Sequence, residues 1–265
     1  MMRIVLLVAC LLAHVALARA GEPPPPPDLL ARAGIDQRLG AQLPLAAYFT
    51  DAHGTIAPLS HWLDGKPTVL MLGYFHCPNL CSVTQQAMAH ALSRGGLRAG
   101  TDVSVIFLNI DPHDAASDAA AAQQQLLRSS GAADTAAWHF LIGDEAAIHA
   151  IARAIGYRYD YDANLKQYVH PSGAVIVGPD GTISQYLMGM TFEPRTVRLA
   201  LVGASHHAVG SVVDQLVLLC CGYDPTTGRY TLAIVQVMQG LGVVFLALAA
   251  ALWLGLRSRQ RGAPE

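Results

Sequence analysis

Residues 68–81 read TVLMLGYFHCPNLC, and this stretch decides the fold. Thr68 to Phe75 is an unbroken apolar run of the kind a parallel strand shows when both of its faces are buried. It ends at Cys77, and Pro78 follows, a residue favoured at the first position of a helix. Asn79 to Leu92 then carries a helical pattern. Cys77 and Cys81 stand four apart, so on a helical turn they share one face with β-carbons about 5–6 Å apart. Such a pair can close a disulfide or hold one metal ion. The positive end of a helix beside them predicts lowered thiol pKa values, which favour thiolate.

Working outward, Val103 to Ile110 (VSVIFLNI) is a second buried strand, followed by a helix over Ser117–Ser129. Trp138–Ile142 reads as a short strand and Glu145–Ile155 as a helix. Ala174–Val177 and Ile183–Tyr186 flank Gly178-Pro179-Asp180-Gly181, which has the residues of a hairpin turn. Glu193–Ser205 is a last amphipathic helix. On the N-terminal side, Leu45–Phe49 and Ile56–Leu59 flank another turn, Asp51–Gly54. Ser60 is placed to cap a short helix around Trp62, and Asp28–Gln42 is weakly helical. Strands alternating with helices and ending in a hairpin predict a layered α/β fold with a mixed sheet.

The two ends carry a different signal. The chain of 265 residues is 52% hydrophobic and only 14% charged, with a formal net charge of −2, and its mean hydropathy is +0.34. A soluble domain usually carries about 25% charged residues, so part of the chain is expected outside water. The charge balance excludes a strongly basic nucleic-acid binder. Arg3, an apolar run from Ile4 to Leu17 and Ala18-Arg19-Ala20 form the three regions of an export signal, with cleavage expected after Ala20. Leu7-Val8-Ala9-Cys10 has the local shape of a lipoprotein signal, but the apolar run continues beyond it. Leu232–Leu256 contains no charged residue. Its length of roughly 37 Å spans a hydrocarbon core of about 30 Å. Arg257, Arg259 and Arg261 follow it and predict a cytoplasmic end. The expected organisation is a signal peptide (1–20), a Pro-rich spacer and extension (21–44), an α/β domain (45–210), a juxtamembrane segment (211–231), a transmembrane helix (232–256) and a cytoplasmic tail (257–265). The body of the protein then faces the periplasm of a bacterium, tethered to the inner membrane.

His170, just before the strand Ala174–Val177, is the candidate partner of the cysteines. Two thiolates and an imidazole form a soft, low-coordinate donor set that suits a copper ion. Structural zinc prefers four ligands, and calcium or magnesium prefers oxygen.

The order of Cys77-Pro78-Asn79-Leu80-Cys81, Asp111-Pro112-His113-Asp114, and a distal His170 with Pro179-Asp180-Gly181 behind it resembles the Sco/SenC family. The resemblance spans roughly Ile35 to Tyr230. It implies a thioredoxin-like fold and copper bound by Cys77, Cys81 and His170. It also implies association with assembly of the binuclear copper centre of cytochrome c oxidase, so the copper-receiving subunit of a terminal oxidase is the expected partner. Asp111 and Asp114 match the family's acidic motif, with an implied role in positioning or partner contact. The stretch from His170 through Cys221-Gly222-Tyr223-Asp224-Pro225 resembles a longer bacterial branch with a C-terminal anchor, whereas better-known members are anchored at the N-terminus. His76, the thioethers of Met188 and Met190, and Cys220-Cys221 with His206-His207 are weaker candidates for soft-metal ligands. The alternative activity is thiol–disulfide exchange by Cys77 and Cys81, reducing cysteines of a copper-receiving partner, which does not require His170. A peroxidase is a third reading, for which the sequence holds no strong motif.

Overall fold

A computed structural model describes residues 32–77, 81–131 and 133–205, together with the backbone of two later strands. Its centre is a seven-stranded sheet. In chain order the elements of this layer are β2 (Tyr48–Asp51), β3 (Ile56–Pro58), β4 (Thr68–Gly73), β5 (Ser104–Asn109), β6 (His139–Ile142), β10 (Gly173–Val177) and β11 (Ile183–Met188). Short pairs stand outside it: β1 (Gly34–Ile35) with β7 (Tyr157–Arg158), and β8 (Asp160–Asp162) with β9 (Gln167–Val169). The sheet order is β11-β10-β4-β5-β6-β2-β3. β4, β5 and β6 are parallel, and an antiparallel hairpin closes each edge.

Every residue of β4 and of β5 is buried, because helices cover both faces. Side chains alternate across a strand. Leu70, Leu72, Ile106 and Leu108 therefore join one core with Leu59, Trp62, Ile148 and Ile151. Val69, Met71, Val105 and Phe107 join the other with Met88, Leu92, Leu126 and Leu201. The first layer is built by α1 (Leu59–Leu63) and α4 (Glu145–Ala154). The second is built by α2 (Cys81–Arg94), α3 (Ala116–Ser130) and α5 (Pro194–Ala204). This is the expected thioredoxin-like α/β arrangement.

Three local expectations are corrected. From Ala33 to Gln42 the chain is not helical. Gly34 and Ile35 pair with β7, Gln42 bridges Thr182, and Gly40 takes a left-handed φ of +77°; remote pairing outweighs a weak local preference. Ala33 and Leu43 are buried in the fold, although both precede the expected domain start at residue 45. Ser60 does not cap α1. Pro58 stands at that position without a side-chain cap, and the Ser60 N–H donates instead to the Leu45 carbonyl at 3.1 Å.

β12 (Cys221–Asp224) and β13 (Arg229–Leu232) form an antiparallel pair within the expected juxtamembrane segment, reaching the first residue of the expected span. No helix among the described residues is long and apolar enough to cross a membrane. The rest of the expected span, the export signal and Pro78–Leu80 lie outside the described residues.

Candidate metal centre

The carboxyl ends of parallel strands are where open α/β sheets gather ligands, and the chemistry stands there. β4 ends at Gly73, Cys77 follows four residues later, and Cys81 is the first residue of α2. β10 runs antiparallel to β4, with Val175 opposite Leu70. The beginning of β10 therefore lies beside the end of β4, and this topology brings His170 to the cysteines across 89 residues. The Cys81 Sγ to His170 Nε2 distance is 3.7 Å. The donor atoms of Cys77, Cys81 and His170 all lie within 4.8 Å of one another, and both cysteines are thiols.

Gly73 makes this approach possible. A β-carbon there would stand 2.8 Å from Phe107 Cζ and 3.2 Å from Cys81 Sγ. The signal was present in the sequence, since a lone glycine inside a buried strand marks a close approach. Across the site, Thr84 on α2 and Ser172 share a hydroxyl contact at 3.2 Å, tying the cysteine helix to the histidine loop. Tyr74 packs edge-on to His170 with ring centroids 5.7 Å apart, and its other neighbour is Tyr168 at 5.5 Å.

A cavity of about 240 Å³ opens on the imidazole side, among Met71, Tyr74, Cys77, Cys81, Phe107 and His170. A second opening of about 240 Å³ meets the same sulfurs from the side of Phe75, His76 and Gln85. The two cysteines are half-buried.

Burial sets the electrostatics. The Cys81 thiol is pushed up to about 12, chiefly by desolvation, with the neighbouring Cys77 adding to it. The expectation of a lowered pKa is thus corrected for Cys81: loss of water outweighs any favourable dipole. Desolvation also lowers His170, against a hydrogen bond to the Pro171 carbonyl that raises it. The imidazole is therefore neutral at neutral pH, the form that donates to a metal. Tyr74 is raised, again chiefly by burial and then by the thiols.

These values give a first expected result. In the reduced, metal-free chain, a thiol of pKa about 12 is roughly 10⁻⁴ ionised at pH 8. Alkylation of Cys81 by iodoacetamide, followed by peptide mass spectrometry, should be roughly 50-fold slower than for an ordinary thiol, because the greater nucleophilicity of a high-pKa thiolate offsets part of the ionisation deficit, and should rise tenfold per pH unit. Rapid alkylation at pH 8 would contradict the burial argument.

Asp111 and Asp114 stand beside the site and are not among the three converging donors. Asp111 accepts from the His113 backbone N–H at 3.0 Å and faces its ring nitrogen at 2.9 Å. Its charge acts on Tyr168, whose phenol is pushed up to about 12 by burial first and by Asp111 next. Asp114 accepts from Asn109 Nδ2 at 2.9 Å, and its carboxyl is raised, mainly by burial. In the first turn of α3, Asp118 accepts from the Ala115 N–H at 2.8 Å.

His76 is exposed and turns to Asp114 and Asp118, at 3.4 and 3.5 Å, away from the Cys–Cys–His group. Met188 and Met190 are exposed. The side chains of His206, His207, Cys220 and Cys221 lie outside the described residues.

The fold has counterparts among solved structures. A candidate electron transfer protein of Aquifex aeolicus VF5 is 24% identical, with a TM-score of 0.56, covering 66% of this chain and 100% of its own. A SCO1/SenC family lipoprotein of Bacillus anthracis str. Ames is 20% identical, with a TM-score of 0.50, over 61% of this chain and 92% of its own. Arabidopsis thaliana ScoI, solved with copper bound, is 18% identical, with a TM-score of 0.47, over 57% of this chain and 88% of its own. No curated protein matches significantly. The SCO1/SenC family profile matches residues 48–202, more than half of the chain and all of the sheet and donor set, and the chain belongs to that family.

Proposed function

We propose that this protein binds one copper ion through Cys77 Sγ, Cys81 Sγ and His170 Nε2 and delivers it to the copper centre of a respiratory oxidase. It would act from the periplasmic face of the inner membrane, held by the apolar segment near its C-terminus. The observation that carries the reading is the convergence of two sulfurs and one imidazole nitrogen within 4.8 Å. Among the described residues, the other such group is His76, Asp114 and Asp118, with one nitrogen and two carboxylates. Thiolate sulfur selects Cu(I), and imidazole accommodates it. Family membership and the copper-bound ScoI of Arabidopsis thaliana fit the same cargo.

Half-burial between two openings suits cargo that must both enter and leave. Binding releases the proton of Cys81, so affinity falls as pH falls, tenfold per unit for each thiol proton displaced. Joining the two sulfurs in a disulfide, with two electrons passed to a partner's disulfide, would remove both anionic ligands and free the metal. The same exchange run alone is the alternative activity. One variant separates them. His170→Ala should weaken Cu(I) binding by roughly 100-fold or more, since even outer-sphere partners of metal ligands contribute about 10–100-fold. Disulfide exchange by Cys77 and Cys81 should persist. Anaerobic chelator competition and a disulfide-reduction assay read the two outcomes, and unchanged copper affinity would refute the proposal.

A further inference from the structure

We infer that Tyr157 is a positioning residue of the metal centre: its hydroxyl fixes the proton of His170 on Nδ1 and so presents the bare Nε2 to the sulfurs. This rests on the copper reading above and deepens it. Tyr157 opens β7 and is 6% exposed. Its Oη lies 2.9 Å from His170 Nδ1, 2.9 Å from the Pro171 carbonyl and 3.2 Å from the Leu72 carbonyl. A hydroxyl has one proton to donate, and carbonyls only accept. The Oη–H therefore goes to a carbonyl, and the contact with the ring must run the other way, with His170 Nδ1–H donating to Oη. If Tyr157 donated to Nδ1 instead, both carbonyls would face an oxygen lone pair.

An independent contact agrees. Nδ1 lies 3.0 Å from the Pro171 carbonyl, which attracts it only when it carries hydrogen. With Nδ1 protonated, the lone pair of the neutral ring is on Nε2, the atom 3.7 Å from Cys81 Sγ. The hydroxyl shares its one proton between the Pro171 carbonyl and the Leu72 carbonyl on β4, the strand that leads to both cysteines. It braces the sulfur-bearing strand against the imidazole-bearing loop, while its ring lies 6.4 Å from the imidazole at 29°. Second-sphere hydrogen bonds of this kind fix the tautomer and orientation of metal-bound histidines.

Tyr157→Phe removes the hydroxyl and keeps the packed ring. In the reduced full-length chain, anaerobic chelator competition for Cu(I) should show about a tenfold or greater loss of affinity. The loss should vanish in the His170→Ala background, because the hydroxyl acts only through that ring. Nitrogen-15 NMR of the metal-free parent, which needs no variant, should show His170 protonated at Nδ1 and bare at Nε2. Parent-like affinity in Tyr157→Phe, an equal loss with and without His170, or a proton on Nε2 in the parent would each overturn the inference while leaving the copper reading intact. Parent-like affinity in His170→Ala would instead bring down the copper reading and this inference with it.

Discussion

Cys81→Ser is expected to abolish retention of Cu(I), with an affinity loss beyond about 100-fold and larger than that of His170→Ala. The scale follows from the second sphere: removing a hydrogen bond to a ligand already costs about 10–100-fold, and here the ligand itself goes. Serine is nearly the same shape, so packing against Gly73 and Phe107 survives, and the lost quantity is chemical. A hydroxyl does not ionise in this pH range, and its hard oxygen is a poor partner for Cu(I). Two donors remain, Cys77 and His170, of which one brings charge. His170→Ala leaves both anionic donors and should weaken binding less. A second signature distinguishes loss of a ligand from loss of structure. The Cys81 thiol has a pKa of about 12 and gives up a proton on binding. The pH slope of log affinity should therefore drop by about one when Cys81 is replaced. The measurement is an anaerobic competition titration between pH 6.5 and 8.5, with circular dichroism to confirm the fold. Affinity within tenfold of the parent, with an unchanged slope, would remove Cys81 from the ligand set.

That the meeting of Cys77, Cys81 and His170 was legible in the sequence has a physical reason, and so does what was missed. The paired cysteines announce themselves because their relation is local, a strand end and one helical turn. His170 could be placed because β10 and β11 flank a Pro-Asp-Gly turn, which fixes where the hairpin begins. β4 and β5 were readable because burial on both faces leaves an unbroken apolar run. β1 and β7 to β9 carry no such mark. They are two or three residues long, and β1 finds its partner more than 120 positions away, Gly34 opposite Arg158. Tyr157 sits in Gly156-Tyr157-Arg158-Tyr159-Asp160-Tyr161, where nothing singles out one tyrosine. Its importance is set by carbonyls at Leu72 and Pro171, which have no side-chain signature. The thiol pKa was misjudged for the same kind of reason: a helix terminus can be read from spacing, whereas desolvation depends on what folds over the sulfur.

The largest effect on stability is expected from Gly156→Ala, two elements away from the sulfurs. Gly156 has φ +64°, and a β-carbon there would lie 1.9 Å from the Asp36 carbonyl oxygen and 2.9 Å from its carbon. The left-handed conformation alone costs an alanine roughly 1–2 kcal/mol. The collision adds to this, because the obstacle is backbone and cannot rotate away; overpacking of this kind costs about 1–3 kcal/mol more. The Asp36 segment cannot retreat cheaply either. Its N–H donates to the Gly156 carbonyl at 2.8 Å, its carboxylate pairs with Arg158, and Ile35 is in register with Tyr157. A total loss of about 3 kcal/mol lowers Tm by roughly 6–12 °C for a domain of this size. Gly131→Ala is the matched control, since Gly131 also has φ +64° but nothing within 4 Å of the added carbon. It should show the conformational part alone, roughly 1–2 kcal/mol, so the difference between the two variants isolates the contact with Asp36. Thermal unfolding of the metal-free chain by circular dichroism measures both. Equal shifts would show that β1 yields to the methyl group.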